Sequence, residues 1–116
     1  LFSAKLLLTI SIVKLMKVLF VCNQGRHRSR TAAELFSRQF ETKYAGLYNE
    51  FPVSAKELAW ADVIVAMEEH QREELVKRFP KECLQKRLVT LGVPDAYSFQ
   101  QPELVDMLRM KTALFA

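Results

Sequence analysis

The most restrictive stretch of this chain joins three pieces without a gap. They are an apolar run, Lys17-Val18-Leu19-Phe20-Val21; a loop, Cys22-Asn23-Gln24-Gly25-Arg26-His27-Arg28-Ser29; and an amphipathic helical stretch from Ser29 to Phe40. A short apolar run of this kind fits a buried strand. A loop that leaves a buried strand and enters a helix aims successive backbone N–H groups, and the positive end of the helix dipole, at one point. That point suits a phosphate-like dianion. It also suits a thiolate, because thiol pKa values fall at helix N-termini and beside cations. Arg28, six residues after Cys22, can bring a planar fork matched to phosphate oxygens back to the same focus. Gly25 stands mid-loop, where a chain wrapped around an anion needs a residue tolerant of positive φ. Ser29 is expected both to cap the helix and to hydrogen-bond the thiolate. Residues Asn23, Gln24, Gly25, Arg26, His27, Arg28 and Ser29 are therefore expected to cradle a phosphate, with Cys22 as a nucleophile on its floor. The blander reading, a strand-end cysteine followed by solvated arginines, leaves the strand–loop–helix order without a reason.

Further along, strand-like and helix-like runs alternate. The pattern predicts a strand at Lys43 to Tyr48 and a helix from Val53 to Trp60 with Ser54 as N-cap. It predicts a continuous apolar strand from Ala61 to Met67, then a charged helix from Glu68 to Phe79 stopped by Pro80. A fourth strand is expected at Arg87 to Leu91, ended by Gly92 and Pro94, and a last helix from Pro102 through Met110. Strands alternating with helices imply a parallel sheet with right-handed crossovers. The expected fold is α/β, a four-stranded parallel sheet of order 2-1-3-4 with helices on both faces. Ligands of such sheets bind beyond the carboxyl ends of the strands. Cys22 and Asp95 both follow predicted strand ends.

The chain of 116 residues is expected to hold a single domain over 16–116, preceded by an N-terminal extension, 1–15, of upstream or cloning-derived sequence. Within the extension, Leu6 to Val13 is apolar and β-branched. It is a candidate extra edge strand and a candidate surface for a homodimer. Its length and the interrupting Lys5, Lys14 and Lys17 argue against a membrane span. A net charge of +4 suits a phosphorylated ligand and is too small and dispersed to argue for nucleic acid. Two cysteines make a disulfide scaffold a poor reading and fit a reducing cytoplasm. His27 and His70 lack a metal-ligand spacing with other donors, so no metal or cofactor is expected.

Val18 to Cys22, the x5-Arg28-Ser29 that follows and the segment Ala32-Ala33-Glu34-Leu35-Phe36 resemble the opening of the low-molecular-weight protein tyrosine phosphatase family. Pro94-Asp95-Ala96-Tyr97 followed by Pro102-Glu103-Leu104-Val105 is similar to a short branch known as predicted protein tyrosine phosphatases. The resemblance runs from about Met16 to about Leu108. It implies a cysteine-dependent phosphomonoester hydrolase acting on a phosphorylated protein or a small aryl phosphate through a phosphocysteine on Cys22. Arg28 would bind the phosphate, Asp95 would be the general acid and base, and inorganic phosphate, sulfate or vanadate would occupy the loop. In the family the acid precedes a proline, whereas here Pro94 precedes Asp95. Two other readings share the fold: a thiol-dependent arsenate reductase, for which only Cys83 is available as a relay, and a non-catalytic phosphate-binding module. Tyr48, Phe51 and Tyr97 are expected as pocket walls for an aromatic substrate. His27 is read as structural, Cys83 as a surface or half-buried thiol, and Trp60 as core.

Overall fold

The computed structural model describes residues 15–113. The extension and its suggested strand and dimer surface lie, but for Leu15, outside the described residues. Strand β1, Lys17–Cys22, leads through the loop into helix α1, Arg28–Leu35. Strand β2, Glu41–Gly46, helix α2, Ala55–Trp60, and strand β3, Val63–Ala66, follow. Helices α3, Glu69–Arg78, and α4, Pro80–Leu84, precede strand β4, Arg87–Thr90, and helix α5, Pro102–Thr112, ends the series. All strand pairs are parallel and the order is β2-β1-β3-β4, as the alternation of runs predicts.

The period-2 alternation of strand side chains divides the core in two. Val18, Phe20 and Cys22 of β1, with Val63 and Val65 of β3, face α1 and α5 and pack with Ala32, Phe36, Leu104 and Leu108. Leu19, Val21 and Ile64 face the other way, against Leu58, Leu75 and Cys83 of α2, α3 and α4. The central strands are buried on both faces, which is why they read as unbroken apolar runs. Cys22 and Cys83 thus belong to opposite sides of the sheet. Cys83 is buried, not the surface or half-buried thiol expected from sequence.

Several boundaries move, each for a local reason. Helix α1 ends at Leu35, not Phe40. The Phe36 N–H still bonds the Ala32 carbonyl, but the Ser37 N–H tightens to the Glu34 carbonyl at 3.4 Å, and the Gln39 and Phe40 N–H groups both turn back to the Phe36 carbonyl at 3.0 Å. Phe36 is buried on Phe20, ring centroids 6.1 Å apart, so the chain must turn there to return to the sheet. Strand β2 consequently starts at Glu41 and ends at Gly46. Ser54 is the N-cap of α2, with a reciprocal capping box to Glu57, so that helix begins at Ala55 rather than Val53. Pro80 does stop α3, but it also opens α4, where a residue without an N–H is tolerated at the first turn. Trp60 is only half-buried, packed at the margin of the second core cluster with the Lys17 and Lys43 ammonium groups 5.9 and 4.5 Å from its ring centroid. Among the described residues no helix is long and apolar enough to cross a membrane.

Candidate active site

The site gathers at the carboxyl ends of β1, β3 and β4. Cys22 is the last residue of β1 and is nearly fully buried, its Sγ 3.1 Å from the Ser29 hydroxyl oxygen. The Gly25 N–H donates to the same sulfur at 3.2 Å. Both are groups that stabilise negative charge on sulfur, beside the N-terminus of α1. Ser29 does this from inside the helix. The N-cap position is His27, whose side chain makes no capping bond, so the expected cap role of Ser29 does not hold.

The loop is shaped by two glycines placed back to back. Gly25 has φ +68, and a Cβ there would come within 2.7 Å of the Gly46 nitrogen and 2.9 Å of the Ala45 carbonyl carbon. A Cβ on Gly46 would come within 2.5 Å of the Gln24 carbonyl carbon. The loop backbone therefore rests directly on the end of β2. The segment after β2 continues the support: Leu47 and Tyr48 N–H both donate to the Asn23 carbonyl at 2.9 Å, and Asn49 Nδ2 donates to the Gln24 carbonyl at 2.9 Å.

Arg28 is the largest fully buried side chain, and its charge is met on several sides. Nη1 donates to the Glu68 carboxylate and to the Val93 carbonyl at 2.8 Å, while Nη2 stands 3.8 Å from the Asp95 carboxylate. Glu68 follows β3 by two residues and also caps α3, with Gln71 completing a capping box. Gln71 is completely buried; its Oε1 accepts from the Glu68 N–H at 2.9 Å and its Nε2 donates to Asn23 Oδ1 at 2.8 Å. His70 Nε2 lies 3.1 Å from that same oxygen. The first turn of α3 thus holds both the loop, through Asn23, and the arginine, through Glu68. Sequence reading missed Glu68 and Gln71. The strand-end rule that picked out Asp95 applies equally to Glu68, and was the available signal.

Asp95 is an exposed side chain on the segment between β4 and α5. One end of the segment continues the sheet ladder, Val93 N–H to the Met67 carbonyl at 2.7 Å. The other end is pinned to α1, the Gln100 N–H donating to Thr31 Oγ1 at 2.9 Å. Cys22, Asn23, Gln24, Arg26, His27, Arg28 and Asp95 together line a cleft of about 290 Å³. Tyr48, Phe51 and Tyr97 stand outside that lining. Tyr48 stacks under the Arg78 guanidinium at 5.2 Å, Phe51 is almost fully exposed, and Tyr97 packs against the α1/α5 core with its hydroxyl toward Met107 Sδ. Burial, aided by Glu82, pushes the Cys83 thiol up from its ordinary value. Among the described residues no cluster of His, Cys, Asp and Glu could hold a metal ion.

No family model matches the chain, and no curated protein does. Its architecture does match solved structures. YwlE arginine phosphatase from Geobacillus stearothermophilus superposes with a TM-score of 0.65 at 20% identity, over 85% of this chain and 92% of that one. A low molecular weight protein tyrosine phosphatase from T. tengcongensis gives 0.66 at 20% identity, over 85% and 94%. The tyrosine phosphatase Wzb from Escherichia coli K30, in complex with sulphate, gives 0.68 at 14% identity, over 87% and 96%. The chain therefore has the fold of the low-molecular-weight protein tyrosine phosphatases.

Proposed function

We propose that this chain is a cysteine-dependent phosphomonoester hydrolase acting on phosphotyrosine or another aryl phosphate. The observation that carries the reading is Cys22 Sγ in contact with the Ser29 hydroxyl and the Gly25 N–H, in a cleft shared with Arg28 and Asp95. The fold-level likeness to phosphatases, one with bound sulphate, agrees with it.

In the first step the Cys22 thiolate attacks phosphorus, and the P–S bond forms as the P–O bond to the aryl group breaks. The leaving oxygen takes a proton from the Asp95 carboxylic acid. Arg28 and the loop N–H groups, fixed before substrate arrives, bind the equatorial oxygens of the transferring group. In the second step the Asp95 carboxylate accepts a proton from water, which attacks the phosphocysteine. The Cys22 thiolate departs toward Ser29 and Gly25, and inorganic phosphate is released.

Relay chemistry of the arsenate-reductase kind needs a second thiol that can reach Cys22. Cys83 is buried against the other face of the sheet, which argues against that route. Arg26 at the cleft mouth would meet the guanidinium of a phosphoarginine side chain with like charge, which favours an aryl phosphate over phosphoarginine. A phosphate-binding module without turnover is the outcome to be distinguished by experiment.

The deciding test is metal-free hydrolysis of an aryl phosphate between about pH 5 and 7. Cys22→Ser is expected to abolish turnover. Asp95→Asn is expected to lower it roughly 10²- to 10⁴-fold, the usual yield of a positioned acid. Wild-type protein that binds phosphate without hydrolysing any aryl phosphate would refute the enzymatic reading. Loss in Cys22→Ser alone would keep the nucleophile and reject the acid.

A further inference from the structure

Three arginines surround the loop, and two of them are already matched. Arg28 is engaged by Glu68, Val93 and Asp95. Arg30 has its Nε 3.5 Å from a Glu34 carboxylate oxygen and lies 4.2 Å over the Phe99 ring. Arg26 differs. It is exposed, it lines the cleft, and it makes no hydrogen bond or ion pair among the described residues. Its backbone is nonetheless fixed on both sides. Gly25 donates its N–H to Cys22 Sγ, and the His27 carbonyl accepts from Thr31 N at 2.9 Å and from Thr31 Oγ1 at 2.6 Å. A guanidinium on a backbone held at both sides thus lines the cleft with no ion-pair partner among the described residues.

The charge inventory of the cleft shows why that matters. Arg28 is already offset by Glu68 behind the cleft and stands 3.8 Å from the Asp95 carboxylate within it. The loop N–H groups and the α1 dipole supply partial positive charge for one phosphate group. Among the described residues, the one full positive charge left over in the lining is Arg26. Arginine forks bind carboxylate and phosphate oxygens well, and a rigidly based one loses less freedom on binding.

We infer that Arg26 selects phosphomonoesters carrying a second anionic group next to the phosphorylated ring, which it binds at the mouth of the cleft. This inference rests on the phosphatase reading of the same cleft. The second anion has one chemistry and two possible sources: an acidic residue beside a phosphorylated tyrosine, or an anionic substituent on a small aryl phosphate.

The test compares matched substrates rather than absolute rates. One pair is a phosphotyrosyl peptide flanked by Glu and the same peptide flanked by Gln. The other is phenyl phosphate bearing a carboxymethyl group and its neutral carboxamide analogue. The anionic member of at least one pair is expected to show a roughly three- to ten-fold higher kcat/KM in wild type, falling as salt is raised, since an exposed pair is screened. The preference should reside in KM, vanish in Arg26→Gln and reverse in Arg26→Glu, whatever happens to the absolute rate. A preference confined to the peptides assigns the second anion to a protein substrate, and one confined to the small esters assigns it to a metabolite-sized substrate. Equal values for both pairs in wild type, or a preference that survives Arg26→Gln, would overturn the inference. Calorimetric binding of the same pairs to the Cys22→Ser protein reads the preference without turnover. If the wild type proves inert, that measurement alone upholds or rejects the role of Arg26, separately from the failure of the enzymatic reading.

Discussion

Gly25 and Gly46 fix how closely the 22–29 loop meets the end of β2. Their Cα atoms face each other across the seam between the loop and the end of β2, and neither can accept a Cβ without moving backbone. Gly25 carries the added demand of φ +68. Gly92 supplies an internal control, since it too has positive φ, +74, but its added Cβ would meet only the Lys111 ammonium at 3.5 Å. Gly92→Ala is therefore expected to cost only the left-handed backbone penalty, about 1–2 kcal/mol. Gly25→Ala should add the collision, for a total of roughly 2–5 kcal/mol, and should weaken phosphate binding as the cradle is displaced. Denaturant unfolding of the two variants, with and without phosphate, measures both effects. Equal costs at the two positions would mean that the loop and β2 do not touch as closely as the geometry requires.

The first turn of α3 acts as a bracket between the sheet and the loop. Glu68, two residues beyond β3, engages Arg28 while capping the helix, and Gln71 carries the contact on to Asn23. Gln71→Leu keeps much of the volume but leaves the Glu68 N–H without its partner and Asn23 Oδ1 with His70 alone. Stranding such buried groups costs about 1–3 kcal/mol. Ser54→Ala at the cap of α2 should cost about 1 kcal/mol, and its capping box belongs to a helix that contributes nothing to the cleft lining. The expected contrast is in phosphate affinity, read as the rise in melting temperature with added phosphate. Ser54→Ala should keep the full ligand-induced rise and Gln71→Leu should lose much of it, while both lower the melting temperature without ligand. A Gln71→Leu protein with an undiminished phosphate response would show that α3 merely packs beside the loop. Only part of this bracket was legible in the sequence: Glu68 follows a predicted strand end, whereas Gln71 carries no such signal. Glu68 and Gln71 sit at the start of a stretch, Glu68 to Phe79, that reads as a solvated charged helix. Only the fold reveals that its first turn faces a buried arginine.

At the scale of the molecule, the parallel sheet of order β2-β1-β3-β4 was legible because Val18–Val21 and Val63–Ala66 are apolar on both faces, and each is followed by a polar helix. The convergence of Cys22, Arg28 and Asp95 was legible for the same reason, as parallel strands deliver their carboxyl ends to one rim. What the pattern could not supply was the side of the sheet on which an isolated residue lands. Cys83 illustrates this: read from sequence as a surface or half-buried thiol, it is turned inward by α4, beneath the face opposite Cys22. Burial and Glu82 raise its thiol above the ordinary 9.0, so in the native protein it should stay protonated as pH rises while the unfolded chain already ionises. The sign follows: stabilisation from the buried thiol is complete below the unfolded value and is lost as pH climbs through the raised folded one. Two results are expected. Alkylation mapped by mass spectrometry between about pH 8 and 9, where an accessible thiol would carry substantial thiolate, should leave Cys83 unmodified until denaturant is added. Cys83→Ala, though destabilised by a cavity, should lose stability less steeply than wild type as pH rises above that range. Rapid native labelling of Cys83 would contradict its burial, and would restore the second thiol that a relay to Cys22 requires.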